Sequence, residues 1–132
     1  MSHPINFEDR LQIGYKAEKK VLSLLQNKYP LSTRIVGQFA DYDIWIPELH
    51  KSVEVKYDRR CKDTGNVCIK QLDLQRTKAN YWCIYTDDIY IWITPNNINQ
   101  CINDNDYITS NIYNKKVYLI TVNDILKYKE AL

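Results

Sequence analysis

Apolar positions in the first part of the chain recur at spacings of three and four, which is typical of a helix with one face turned to a core. The stripe consists of Phe7, Leu11, Gly14, Val21, Leu22 and Leu25. Asn6 can cap this helix, acidic residues follow in its first turn, and Tyr29-Pro30 ends it because the residue before a proline disfavours helical geometry. We therefore predict a helix over Phe7–Lys28, in which Gly14 allows a close approach to a sheet.

Segments rich in β-branched and aromatic residues follow this helix and predict strands. They lie at about residues 33–36, 42–46, 52–57 and 67–70. A second helix is predicted over 71–80, followed by a hairpin with strands at 81–86 and 89–94. A short helix from residue 95 to about 102, a last strand over 116–122 and a closing helix over 124–132 complete the order.

This order predicts an α/β fold with an αβββαβ core, a central mixed sheet flanked by helices, and a C-terminal extension. The 132 residues suit a single domain over 1–132, and no repeat or flexible linker divides them. The apolar runs are too short to cross a bilayer, and the N-terminus lacks the pattern of a secretion signal. We therefore expect an intracellular protein without a membrane partner.

Two carboxylates and a lysine form the candidate chemistry of the predicted 42–57 hairpin. A turn through residues 47–50 sets Ile46 against Lys51, and continuing that register sets Asp43 directly opposite Glu54. Opposed residues have Cβ atoms about 4.5–5.5 Å apart, so the two carboxylates repel each other unless a cation lies between them. Lys56 shares the face of Glu54, diagonal to Asp43. The pattern predicts a magnesium site at Asp43 and Glu54, with Lys56 orienting water or balancing charge.

Glu18 supports the same site from the first helix. It lies seven residues after Leu11 and seven before Leu25, and therefore on the apolar stripe. A carboxylate on a core face is costly unless it is paired, although it could also lie at the edge of the stripe and reach water. Trp45 shares the predicted face of Asp43, which indicates that this face is partly covered. The alternative for the hairpin is an exposed strand pair with a cross-strand salt bridge.

Positive charge is concentrated after the hairpin, although the net charge of the whole chain is only +2. Residues 56–78 hold seven basic and three acidic side chains, as a phosphate-binding surface requires, although a solvated loop has the same composition. The candidates for nucleic-acid contact are Arg59, Arg60, Lys62, Lys70, Arg76 and Lys78, with Asn66 and Gln71 as weaker ones.

Glu18 on a first helix, then Asp43, then Glu54-Val55-Lys56 resembles the PD-(D/E)XK nuclease superfamily over about residues 14–86. The resemblance implies a metal-dependent endonuclease in which the acidic pair binds Mg²⁺ or Mn²⁺, the lysine assists the attacking water, and Glu18 has a supporting catalytic role. It also implies products with a 5′-phosphate and a 3′-hydroxyl, and a nucleic-acid partner, with DNA favoured over RNA. Tyr42 replaces the proline of the name-giving motif.

Other functions and assemblies remain open at this stage. A non-catalytic nucleic-acid-binding module on the same fold, or a structural subunit with its carboxylates in salt bridges, would carry the same residues. Cutting both strands would require a homodimer, for which the aromatic hairpin over 81–92 could supply the interface or could instead form core. The four cysteines lack the spacing of a zinc site, and the three isolated glycines form no phosphate-binding loop.

Overall fold

The computed structural model describes residues 7–37 and 41–132. Within them the helices are α1 (Phe7–Lys28), α2 (Cys61–Thr64), α3 (Gln71–Arg76), α4 (Pro95–Asp104) and α5 (Val122–Leu126). The strands are β1 (Thr33–Arg34), β2 (Ile44–Ile46), β3 (Lys51–Tyr57), β4 (Asn66–Lys70), β5 (Tyr81–Tyr85), β6 (Tyr90–Ile93), β7 (Ser110–Ile112) and β8 (Lys115–Thr121). No helix in the described part of the chain is long and apolar enough to cross a membrane.

The fold is mixed α/β, with a central mixed sheet and flanking helices, as predicted. The central sheet has the strand order β1-β2-β3-β5-β6, in which β3 and β5 are parallel and the other neighbours are antiparallel. A second, antiparallel sheet has the order β4-β8-β7 and was not predicted. In this sheet β4 pairs with β8, which lies far from it in the sequence, and a local sequence pattern cannot reveal such a partner.

Each face of the central sheet covers its own hydrophobic core, because successive side chains of a strand point to opposite faces. On one face, α1 packs through Ala17, Val21 and Leu25 against strand residues that include Ile44 and Val53. On the other face, the core is formed by residues of both sheets and of helices α3, α4 and α5. The strand β3 therefore lies between two packed layers.

Helix α1 has the predicted bounds, but the apolar stripe is placed differently. Ala17 is buried, whereas Leu11 is 40% exposed, so the core-facing side begins later along the helix than predicted. The expected close approach at Gly14 is wrong, because no atom of another described element lies within 4 Å of the position that a Cβ would take there. Asn6, the predicted cap, lies outside the described residues.

The remaining elements differ mainly in their ends. α3 stops at Arg76, where Thr77 Oγ1 accepts hydrogen bonds from the Ala79 amide and the Trp82 indole and turns the chain into β5. The closing helix α5 is also shorter than predicted, and its first turn is capped by the side chain of Thr121. The short α2 and β7 were not predicted.

The aromatic hairpin of β5 and β6 is confirmed. Most of its side chains are buried, among them Trp82, Cys83 and Ile84, so they belong to the cores of one chain rather than to an exposed interface. The homodimer stays a prediction. The four cysteines are unpaired, and three of them are buried.

Candidate active site

The hairpin register predicted from the sequence is confirmed between β2 and β3. Ile46 pairs with Lys51 and Ile44 pairs with Val53. The ladder ends at that pair, because the amide of Asp43 donates to the Val53 carbonyl at 3.0 Å instead of continuing the regular pattern. Asp43 is therefore not paired directly opposite Glu54, and this part of the prediction is wrong.

The local break has a second signature in the aromatic side chains around Asp43. The rings of Tyr42 and Trp45 lie 6.0 Å apart, although residues three apart in a regular strand point to opposite faces. The Oδ2 atom of Asp43 accepts the amide of Val55 at 2.7 Å and takes the place of a backbone acceptor in the ladder. Asp43 is thereby fixed at the end of β2 by the strand that carries Glu54.

Asp43, directly before β2, lies within electrostatic range of Glu18 on α1 and of Glu54 on β3. Burial raises the pKa of Glu18, and the negative charge of Asp43 raises it further, against the effect of Arg34. Burial also raises the pKa of Glu54, with Asp43 and Asp73 acting in the same direction against Lys56. The site thus concentrates negative charge in a place where water screens it poorly.

Lys56 lies inside this charge cluster. Its Nζ atom is 3.1 Å from Glu54 Oε2 and 2.9 Å from Asp73 Oδ2, and it lies 5.0 Å from the centre of the Trp82 ring. Burial lowers the pKa of Lys56, but the negative charge of Glu54 and the hydrogen bond and charge of Asp73 outweigh that effect and leave the pKa above its usual value. Lys56 therefore stays protonated at neutral pH, and its contacts are with Glu54 and Asp73 rather than across the hairpin to Asp43.

Asp73 was missed as a site residue by sequence reasoning. It lies in the first turn of α3, and the hydrogen bond from Lys56 ties that helix to β3. The only signal in the sequence is an acidic residue near the start of a predicted helix. That signal does not say which strand the helix packs across.

Glu54 has a buried oxygen without a satisfactory donor. Its buried Oε2 atom has the ammonium group of Lys56 as its partner among the described residues, and that group lies 3.1 Å away in poor hydrogen-bond geometry. A buried carboxylate oxygen without a donor is costly, and coordination of a cation is one way to remove that cost. The donor set at this position therefore fits a hard divalent cation.

Glu18 is partly buried and paired, so the alternative in which it reaches freely into water is wrong. Its side chain is 19% exposed, and its Oε2 atom accepts a hydrogen bond from Arg34 Nε at 2.7 Å. The guanidinium of Arg34 in turn lies 4.3 Å from the centre of the Tyr15 ring. With one oxygen engaged in this way, Glu18 is better suited to a supporting role beside Asp43 than to binding a metal with both oxygens.

A cavity of about 320 Å³ adjoins Lys56 and Asp73. Three of the predicted nucleic-acid-binding residues line it, namely Arg59, Arg60 and Lys70. The other five predicted residues do not line it. Two of them form ion pairs elsewhere, Lys62 with Asp87 and Lys78 with Asp41, and Gln71 donates a hydrogen bond to Tyr118. The last two are Arg76 in α3 and Asn66 in β4. The basic stretch of the sequence is thus divided, and only part of it faces the candidate site.

The carboxylate of Asp58 holds the basic loop in place. Its Oδ1 atom accepts the amides of Arg60 at 3.2 Å and Cys61 at 3.1 Å, and its Oδ2 atom accepts the amide of Cys68 at 2.8 Å. One side chain therefore joins the start of α2 to β4. It thereby fixes the direction in which the arginines of this loop enter the cavity.

We expect Asp58→Ala to lower the free energy of unfolding by about 1–2 kcal/mol, which is the typical cost of losing a side-chain cap. Three backbone amides would lose their acceptor at once. Urea denaturation with Asp63→Ala as control measures the effect, because Asp63 is exposed and lies in the same loop. Equal midpoints for the two variants would contradict the assigned role of Asp58.

Tyr57 follows Lys56 in β3 and points to the opposite face of the sheet, where its ionisable hydroxyl group is hydrogen-bonded. Its hydroxyl donates to the carboxylate of Asp87 at 2.8–2.9 Å, and its ring stacks on Tyr85 with 5.3 Å between the ring centres. Burial, followed by the hydrogen bond and charge of Asp87, raises the pKa of Tyr57 from 10.0 to about 12. The folded protein thus holds this proton more tightly than the unfolded chain does.

The stabilisation linked to Tyr57 should be fully present below pH 10 and should be lost as the pH rises towards about 12. Melting temperatures of Tyr57→Phe and wild type, recorded from neutral to alkaline pH, test this linkage. The variant should melt at a lower temperature at neutral pH, and the difference should shrink at alkaline pH. The control is Tyr113→Phe, because Tyr113 is 89% exposed. A difference that is constant with pH would contradict the linkage.

No protein-family model, curated protein or solved structure gives a significant match to this chain. The functional assignment therefore depends on the carboxylates, the lysine and the cavity described above.

Proposed function

We propose that the protein is a metal-dependent nuclease that hydrolyses phosphodiester bonds of DNA as an endonuclease. The observation that carries the proposal is the buried Oε2 atom of Glu54, whose partner, the ammonium group of Lys56 at 3.1 Å, is poorly aligned for a hydrogen bond, while Asp43 lies within electrostatic range. Such an atom is unfavourable in a purely structural ion pair and favourable in a cation site.

The topology supports a PD-(D/E)XK-type, restriction-endonuclease-like arrangement. Helix α1 packs on a meander of β1, β2 and β3, and a segment containing α3 leads to β5, which pairs in parallel with β3. This is the αβββαβ order that the resemblance implies, with α2 and β4 inserted after β3. Glu18 lies on α1, Asp43 directly before β2 and Glu54 on β3, in the order that the resemblance leads us to expect.

Asp43 and Glu54 would hold a Mg²⁺ or Mn²⁺ ion. Among the described residues no three His, Cys, Asp or Glu side chains converge closely enough to bind a metal alone, so water and substrate phosphate would complete the shell. Magnesium commonly binds in this way, through one or two carboxylates. When bound, the ion supplies Lewis-acid stabilisation of the charge that develops on the phosphoryl oxygens.

The side chains of the protein supply position and charge. Lys56, which stays protonated, acts as a hydrogen-bond donor that orients the attacking water and stabilises negative phosphoryl oxygens, not as a general base. Asp73 holds the ammonium group of Lys56 in place, the Val55 amide holds the carboxylate of Asp43, and the ion pair of Glu18 with Arg34 lies beside it. Cations of the adjoining cavity bind phosphates beside the scissile bond.

A panel of labelled DNA substrates tests the proposal directly. The substrates are linear duplex, nicked duplex, single strand and four-way junction, each incubated with Mg²⁺ or Mn²⁺ and with EDTA. We expect metal-dependent cleavage that Asp43→Asn abolishes and that leaves 5′-phosphate ends. Binding that neither the metal nor this variant affects, with no cleavage of any substrate, would overturn the nuclease and favour a binding module on the same fold.

A further inference from the structure

A second cavity lies beside the candidate active site. Its volume is about 330 Å³, and its lining includes Lys70 and Asp73, which also line the first cavity. The two cavities therefore share part of a wall. The opposite side of the second cavity is formed by the turn between β7 and β8, with Asn114, Lys115 and Lys116.

Three lysines from two distant segments of the chain meet in this cavity. Lys70 comes from the end of β4, and Lys115 and Lys116 come from the start of β8, which pairs with β4. None of the three forms an ion pair with a described residue, and the acidic residue of the cavity, Asp73, is bonded to Lys56. We refer to Lys70, Lys115 and Lys116 as the lysine cluster.

Two members of the lysine cluster, Lys70 and Lys115, repel each other. Burial lowers the pKa of Lys70, and the positive charge of Lys115 lowers it further. Like charges held close together destabilise the fold unless an anion lies between them. The turn that carries Lys115 is also well defined, because Tyr113 and Asn114 both adopt positive φ angles, as in the tight turns of two-residue hairpins.

We infer that the lysine cluster is a second phosphate-binding site, which holds the backbone of the nucleic-acid strand next to the candidate active site. This inference rests on the proposed function and extends it. The β7–β8 hairpin becomes part of the substrate-binding surface, and the strand runs from the arginines of the first cavity past Lys70 to Lys115 and Lys116. Contact with phosphates alone makes the site independent of base sequence.

Equilibrium binding of DNA to a cleavage-deficient protein tests the phosphate-binding site independently of catalysis. Lys115→Gln and Lys116→Gln, singly and together, are placed in the cleavage-deficient Glu54→Gln protein, and binding of a fluorescent DNA strand is measured without metal over a range of salt concentrations. Each substitution should weaken binding several-fold and should lower the slope of log affinity against log salt by about 1. An abasic strand of equal length should show the same losses.

Lys51→Gln is the matched control. Lys51 is exposed and lies at the opposite end of β3 from Lys56, roughly 17 Å away along an extended strand. Its affinity and salt slope should match those of the parent protein. The cluster variants should melt no lower than the parent, because removing a lysine there reduces like-charge repulsion.

The outcomes distinguish this inference from the proposed function. If the wild type cleaves DNA but the cluster variants bind like Lys51→Gln, the phosphate site is overturned and the nuclease stands. If no DNA is cleaved yet the cluster variants lose affinity, the phosphate site stands without the nuclease. Losses of affinity that appear with the normal strand and not with the abasic strand would overturn the assignment to phosphates. Absence of any DNA binding would overturn both.

Discussion

Replacing Glu54 by glutamine should abolish metal-dependent cleavage and leave the metal-free protein at least as stable as the wild type. The loss of cleavage should be about a thousandfold or more, because a bound metal stabilises the transition state by several kcal/mol and each 1.36 kcal/mol is a factor of ten in rate. Glutamine has nearly the same shape as glutamate but carries no charge for a cation to bind.

The stability part of this prediction follows from the burial of the carboxylate. The Oε2 atom of Glu54 is buried without a hydrogen bond, and burial is the main reason for its raised pKa. Glutamine removes the buried charge, and Lys56 keeps its other partner, Asp73, at 2.9 Å. A group that raises the cost of folding while serving the reaction is expected at a catalytic site and is unexpected in a structural ion pair.

The raised pKa of Glu54 determines the pH range in which Glu54→Gln should be more stable than the wild type. Because the folded state raises the pKa of Glu54, the ionised carboxylate destabilises the fold above that pKa, and protonation removes the penalty as the pH falls through it. The advantage of Glu54→Gln should therefore be present at neutral pH and should vanish in acid.

Thermal unfolding in EDTA over this pH range measures the effect, with the exposed Glu48 changed to glutamine as the control. A variant that melts well below the wild type at neutral pH would show that Glu54 is structural.

Replacing Lys56 by methionine should lower both cleavage and stability, in contrast to the change at Glu54. Lys56 contacts two carboxylates, and methionine would leave Glu54 and Asp73 without their shared cation. The side chain of Lys56 is 32% exposed, so the cost should lie between that of surface and buried ion pairs, at about 1–3 kcal/mol. Loss of a donor to the reacting phosphate should lower the rate by about 10²–10³-fold.

Lys56→Arg separates the two roles of this lysine. Arginine restores a positive charge near both carboxylates but presents a planar fork instead of a compact ammonium group. We expect stability close to that of the wild type and cleavage that remains low. Urea denaturation and single-turnover cleavage by the three proteins provide the comparison. Full activity of the methionine variant would remove Lys56 from the mechanism, and full activity of the arginine variant would show that charge alone is sufficient.

The sequence was sufficient for elements whose contacts are local. Helix α1 could be predicted at both ends, because the acidic first turn and Tyr29-Pro30 mark them, and the β2–β3 register follows from a short turn. Both depend on interactions between residues that are close along the chain. The pairing of Glu54 with Lys56 on one face is a consequence of the same strand periodicity.

The rest of the site depends on contacts that no local pattern contains. The break at Asp43 arises because its own carboxylate replaces a backbone acceptor, and strict alternation cannot anticipate such a replacement. Asp73 reaches Lys56 only because α3 packs on β4 and β8, which brings its first turn beside Lys56. Similarly, Arg34 is the partner of Glu18 because β1 packs beside α1.

The pairing of β4 with β8 sets the order in which the site is assembled during synthesis. Glu18, Asp43, Glu54 and Lys56 leave the ribosome before β8, which completes the sheet that carries Lys70. Until β8 is in place, Val67 and Ile69 have no strand beside them, and the wall between the two cavities is incomplete. The nascent chain would thus hold all four candidate site residues without a finished groove, so that the proposed strand-binding surface forms only once β8 has paired with β4.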